Sequence, residues 1–140
     1  MSAPEPFLSE PEPVLPAAAA PVRLAPAPAT PIAACRPLHT DSLDRDHAGA
    51  IAFVLKAIAD PIRLRMVSIL LRTEGRQATV ADLTAEFDLT QPTVSHHLKV
   101  LHEAGVLERS RRGVWVCYRV RPEAMGALSR VFEAPPDGAW

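Results

Sequence analysis

The residues best placed to do chemistry lie in one stretch, Thr90 to Gly105, which reads TQPTVSHHLKVLHEAG. Gln91, Thr93, Ser95, His96 and Lys99 supply short hydrogen-bonding groups and a cation, with no carboxylate before Glu103. Such a set suits the edges of nucleic-acid bases and the phosphates beside them. Catalysis is a poorer match. Ser95 and His96 are adjacent, and successive helix positions diverge by about 100°, so they do not converge as nucleophile and base. For the same reason His96 and His97 are not a metal pair, which needs a spacing of four on one helix face.

Positioning these groups requires a helix. Val94, Leu98 and Leu101 recur at helical spacing and form one apolar stripe. Thr90 is suited to cap the start through its hydroxyl, Pro92 fits the first turn, and Gly105 suits the end. The stripe leaves the polar groups facing outward, while His97 lies near its edge and reads as a packing residue.

Upstream, Ile51, Val54, Leu55 and Ile58 predict a first helix. Asp60-Pro61 ends it and opens a second, carrying Ile62, Met66, Ile69 and Leu70. Glu74 to Ala78 reads as a polar connection. Thr79-Val80-Ala81-Asp82 is a capping box for a short third helix with Leu83 and Phe87 inward, and Asp88-Leu89 is a tight turn. Two short helices joined this way, the second polar on its outer face, describe a helix-turn-helix. After Gly105 the period changes to two. Val114, Val116, Tyr118 and Val120 alternate with Trp115, Cys117 and Arg119, predicting a strand paired with Val106–Arg109. Ser110 to Gly113 then forms a hairpin tip that displays Arg111 and Arg112, a basic wing able to hold a DNA backbone. Pro122 opens a last helix with Met125, Leu128 and Phe132 on one face.

The net charge of −1 does not announce a nucleic-acid partner, but its distribution does. From Gln91 to Arg121 six Lys/Arg stand against two Glu, whereas Met1 to Asp46 holds three Arg against six acids. An acidic tail masks a basic patch. That tail, residues 1–43, carries ten of the fifteen prolines and is expected to be disordered. Residues 44–134 form the expected domain and 135–140 a short disordered end. Ile32-Ala33-Ala34-Cys35 superficially resembles a lipoprotein cleavage site, but prolines 21, 26, 28 and 31 interrupt the apolar stretch that export requires. No apolar run is long enough to span a bilayer, so no membrane partner is expected and the cytoplasm is the expected location. Two cysteines, Cys35 and Cys117, are too few for a disulfide scaffold.

VLKAIADPIRLRMVSILL followed by LTQPTVSHHLKVLHEAGVLERSRRGVWVCYRV resembles the ArsR/SmtB family of bacterial winged-helix repressors, over about Asp46 to Val131. The resemblance implies a mostly α winged helix-turn-helix with a small β-hairpin. It further implies a homodimer joined through the Ile51/Val54/Leu55/Ile58 and Met125/Leu128/Phe132 faces. The partner would be double-stranded DNA at an imperfect palindromic operator, with an effector weakening the grip. Gln91, Thr93, Ser95, His96, Lys99, Arg111 and Arg112 are the expected DNA contacts.

The departures concern the effector. Where many members carry a Cys-Val-Cys-Asp ligand motif, this chain has Thr79-Val80-Ala81-Asp82, so both thiolates are missing. The last helix lacks the histidine that some members use for a metal. Cys35-Arg36-Pro37-Leu38 resembles the cysteine-bearing arm of arsenic-sensing members from high-GC bacteria, so Cys35 is a candidate ligand for a thiophilic metal or arsenite, or a redox thiol. Cys117 is a second candidate thiol, facing with Trp115. His39, Asp41, Asp44, Asp46 and His47 more simply solvate a helix start than bind a divalent ion. Three readings stay open: a metal-released repressor, a regulator answering thiol oxidation or another ligand, and a winged helix that binds protein.

Overall fold

The computed structural model describes residues 30–138; the expected tail over residues 1–29 and the last two residues lie outside it. Five α-helices and three strands follow one another as α1 Arg45–Ile58, α2 Pro61–Arg72, β1 Gln77–Thr79, α3 Val80–Glu86, α4 Gln91–Glu103, β2 Leu107–Arg112, β3 Trp115–Val120 and α5 Ala124–Val131. The expected winged helix-turn-helix is present.

The starts of α1, α2 and α3 each have a local cause. Asp44 accepts the His47 N–H at 2.8 Å and its other oxygen meets His47 Nδ1 at 2.7 Å, so this pair begins α1. Asp60 accepts from the N–H groups of Ile62 and Arg63 at 2.9 and 3.1 Å ahead of Pro61. The Thr79 hydroxyl accepts from the Asp82 N–H while Asp82 accepts from the Thr79 N–H, the capping box anticipated from the sequence. Thr90 departs from expectation. It occupies the N-cap of α4, but its hydroxyl bonds the Thr93 hydroxyl at 2.9 Å and caps no backbone N–H.

The sheet is antiparallel in the order β1-β3-β2. Its first strand falls in the stretch read as a polar connection: three residues long, it pairs Gln77 with Arg119 and Thr79 with Cys117. A run so short leaves no periodicity to detect. The hairpin tip is also narrower than expected. β2 runs through Arg112, which lies opposite Trp115, so only Gly113 and Val114 turn the chain, with Gly113 at φ +61°. Arg111 and Arg112 are therefore strand residues on opposite faces of the ribbon.

The core gathers Val54, Met66, Leu70, Leu83, Val94, Leu98, Leu101, Val106 and Leu107, each fully or almost fully buried. Two further expectations change here. Order begins before Asp44: a short 3-10 turn, Pro31–Ala34, places Ile32, Ala34 and Cys35 in the core against α1 and α5. The Ile32 N–H donates to the Ala104 carbonyl at 3.1 Å, and the Leu38 N–H to the Val131 carbonyl at 3.2 Å. Proline density argued against helix, yet a 3-10 turn begins naturally on a proline and three apolar side chains are enough to anchor it. Next, Ile51 and Val54 are spent inside their own core and cannot serve a second copy; Phe53 is the exposed apolar side chain of α1. On α5, Ala124, Ala127 and Val131 face inward, while Met125 and Leu128 are half-buried and Phe132 is exposed.

Gly105 holds the arm in place. At φ +85° it ends α4, and a β-carbon there would lie 2.8 Å from Ile32 Cγ2. Gly105→Ala should therefore lower unfolding free energy in urea by about 2 kcal/mol, combining left-handed backbone strain with displacement of the arm. In an Ile32→Ala background the same change should cost measurably less, the double-mutant signature of a shared contact.

Candidate nucleic-acid interface

Helix α4 is seated by its inner side. Val94, Leu98 and Leu101 have no exposed surface, each contributing roughly 1.5–3 kcal/mol through burial. His96 points almost opposite this stripe and is exposed, as are Gln91, Thr93 and Lys99, while Ser95 is half-buried. The expected contact residues thus divide. Gln91, Ser95 and Lys99, with Glu103 beyond them, line a groove of about 490 Å³ between α4, the hairpin and the Thr79–Ala81 start of α3, and Thr93 and His96 lie outside it.

The far wall of the groove includes Arg109, Val114 and Trp115. Its end is fixed by His102, whose Nδ1 lies 3.0 Å from the Leu107 carbonyl. A carbonyl only accepts, so Nδ1 carries the proton. The His102 ring also meets Tyr118 edge-on, with centroids 6.3 Å apart. These contacts hold the C-terminal turn of α4 against the β2–β3 ribbon. Arg109 and Trp115 were not singled out from the sequence, although Arg109 sits two strand positions before Arg111 and shares its face.

Charge is distributed unevenly among the six local cations. Arg119 meets Glu108 at 3.6 Å, Arg121 meets Glu123 at 3.8 Å and Lys99 meets Glu103 at 3.8 Å. Among the described residues Arg109, Arg111 and Arg112 form no ion pair, and all three are exposed. The hairpin therefore presents three uncompensated guanidinium groups, Arg109 and Arg111 on one face of the ribbon and Arg112 on the other.

A second cluster fixes α4 from below. Arg63, on α2, donates through Nε to the Ala57 carbonyl, through Nη2 to the Lys56 carbonyl at 3.4 Å and through Nη1 to His97 Nδ1 at 3.1 Å. His97 is half-buried, in agreement with its reading as a packing residue. Asp60, 3.9 Å from Arg63, has its carboxyl held below the usual range, first by the Arg63 backbone N–H and then by that of Ile62. One guanidinium thus joins the end of α1, the start of α2 and the middle of α4.

Among the described residues neither thiol belongs to a group of three metal-binding side chains. Cys35 and Cys117 are both free and buried. Cys35 belongs to the core cluster, whereas Cys117 lies outside it, on the sheet face shared with Trp115 and Arg119. Burial pushes the Cys35 thiol up, with Arg130 pulling it back in part, so the thiolate a soft metal needs is disfavoured. Among the described residues no group of three His, Cys, Asp or Glu side chains gathers to hold a metal. The residues present do not fit a three-thiolate arsenite site, and the Thr79–Asp82 stretch acts as a helix cap.

Residues 60–109 match the family model described as bacterial regulatory protein, arsR family. The chain is 46% identical over 70 residues to an arsenic resistance transcriptional regulator of Pseudomonas putida, an alignment covering 50% of this chain and 53% of that protein. It thus spans about half the length of that relative. It is 36% identical to the arsenical resistance operon repressor of Escherichia coli over 62% of this chain and 69% of the other. Among solved structures it is similar to the homodimeric winged helix-turn-helix DNA-binding domain of a possible ArsR-family regulator from Mycobacterium bovis. That likeness has a TM-score of 0.52 and 27% identity, and covers 63% of this chain and 81% of the other.

Because the folded Asp60 carboxyl titrates below its unfolded value, its contribution is present at neutral pH and is lost as pH falls through the folded value. Asp60→Asn keeps a capping side chain but removes that titration. The stability gap between wild type and Asp60→Asn in urea melts should therefore narrow on acidification below pH ~4, the ordinary range of an aspartate.

Proposed function

The chain belongs to the ArsR family of bacterial DNA-binding transcription regulators, and on that premise we propose that it is a homodimeric repressor of a palindromic operator. Helix α4 enters the major groove. Gln91, Thr93, Ser95 and His96 meet base edges, while Lys99, Arg111 and Arg112 hold phosphates. The observation that carries this reading is the set of unpaired hairpin arginines beside a helix whose exposed face is free of carboxylates through its first three turns. His96 stands outside the groove that Ser95 lines, which also argues against the two acting together as a catalytic pair.

The second copy is placed on the surface left apolar by the first. Phe53 of α1 is 46% exposed and Phe132 beside α5 is 63% exposed, with Met125 and Leu128 half-buried next to it. Release comes from a ligand that favours a different spacing of the two α4 helices, for which a coupling of about 1–3 kcal/mol is enough. Burial, which pushes the Cys35 thiol up, weighs against Cys35 as that ligand. Among the described residues no helix is long and apolar enough to cross a membrane.

Two measurements test this. Arg111→Gln and Arg112→Gln should each reduce the slope of log affinity against log salt by about 0.9, with sequence preference intact, while His96→Ala should alter preference among operator variants. A salt-insensitive interaction would instead favour a protein partner. Phe132→Glu should shift the protein toward monomer in sedimentation and weaken DNA binding by about tenfold or more, since assembly and binding are linked. A variant that stays dimeric would remove α5 from the interface.

A further inference from the structure

The three hairpin arginines that find no counter-charge among the described residues all stand on one strand, β2. That strand is an outer one in the order β1-β3-β2. Its free edge therefore lies between Arg109 and Arg111 on one face and Arg112 on the other. A segment laid along this edge meets guanidinium groups from both sides. At the tip Val114 is 89% exposed, and Trp115, on the face of Arg112, is 57% exposed. The surface is cationic along its edge and apolar at its end.

The chain carries a matching segment of its own. Glu5, Glu10 and Glu12 are the acids of residues 1–29, with Phe7 and Leu8 between the first two. Each of these glutamates directly precedes a proline, which biases it toward extended backbone. Glu10 and Glu12 then stand about 6 Å apart along the segment, close to the roughly 7 Å that separates Arg109 from Arg111. Run against the direction of β2, the segment brings Glu12 to Arg109, Glu10 to Arg111 and Phe7-Leu8 to the apolar tip. Residues 13–29 hold no acid and a single charge, Arg23, as suits a spacer.

The point of attachment fits as well. Thr30 packs at the corner where α4 gives way to β2, since a β-carbon on Gly105 would stand 3.2 Å from Thr30 Cβ. At the rise of a strand, Arg109 to Arg112 lie no more than about 24 Å beyond that corner. Glu12 stands eighteen residues before Thr30, a length that reaches about 23 Å in the coil limit and about 56 Å as polyproline. A tether whose reach matches its span holds its cargo at an effective concentration on the order of millimolar. We infer that residues 5–12 dock along the free edge of the hairpin as an internal counter-charge, and that DNA must displace them to reach Arg109, Arg111 and Arg112. The docking stands on the charges and the attachment point alone. The competition rests in addition on the DNA-binding reading.

The test compares the full chain with Glu5→Gln/Glu10→Gln/Glu12→Gln, which keeps every proline and leaves the folded domain unaltered. Nitrogen-15 amide spectra report the hairpin directly. At about 0.05 M salt the signals from Arg109 to Trp115 should differ between the two proteins, and they should coincide by about 0.5 M. Signals around Phe53 on α1 should match throughout. Binding to a short labelled duplex of arbitrary sequence is then followed by anisotropy. The glutamine variant should bind about three- to tenfold more tightly at about 0.05 M salt, the gap closing as salt rises. In an Arg109→Gln background the gain should shrink, because Glu12 has lost its partner. Coincident hairpin signals at low salt would overturn the docking, whether or not the duplex binds. Shifted signals with equal duplex affinity would overturn the competition, and failure of both proteins to bind would count against the DNA-binding reading as well.

Discussion

The arrangement depends on a backbone conformation at Gly105. There the chain leaves α4 at φ +85°, the Val106 N–H reaches back to the Leu101 carbonyl at 3.1 Å, and β2 begins two residues later. A left-handed residue at this point redirects the chain from helix into hairpin within a single turn. The absent side chain leaves room for Ile32, which closes the same corner from the N-terminal side. The angle between α4 and the ribbon, the width of the groove and the docking of the arm are therefore fixed together. A bulkier residue would disturb all three.

Much of this was legible in the sequence because it is written in local chemistry. Asp60-Pro61 and Thr79 to Asp82 declare helix starts through groups only three residues apart, and the Val94/Leu98/Leu101 stripe declares its buried side through helical spacing. Less was legible where structure depends on distant partners. β1 exists only because Gln77 to Thr79 lies beside β3, some forty residues later. The arm is ordered by α1, Ala104 and Val131, none of which its own proline-rich composition reveals. Alternation correctly put Cys117 on the face of Trp115, yet its burial reflects its position in the middle strand, between β1 and β2.

The site follows the same division. Which side of α4 faces outward could be counted from its apolar positions, but which outward residues share a groove with the hairpin could not. That depends on the angle set at Gly105, and it separates Gln91, Ser95 and Lys99 from Thr93 and His96. Charge required the structure as well. A local excess of four positive charges becomes informative once Arg119, Arg121 and Lys99 are seen beside carboxylates, because the remaining field then comes from the hairpin.

The absence of a thiolate cluster shifts attention from ligand chemistry to mechanical connection. Arg63 binds carbonyls at the end of α1 and a ring nitrogen on α4, so α1 cannot move relative to α4 without breaking charge-assisted hydrogen bonds. At the C-terminal end of α4 the arm joins the Ala104 carbonyl to the Val131 carbonyl of α5. The middle and the C-terminal end of α4 are thus tied to elements that carry the exposed apolar surface, Phe53 on one and Phe132 beside the other. A bond of this kind is worth about 1.5–3 kcal/mol, the same scale as a useful regulatory coupling. A change in how α1 and α5 are covered therefore has a direct route to the orientation of α4, with no metal at Thr79 to Asp82 required to carry it.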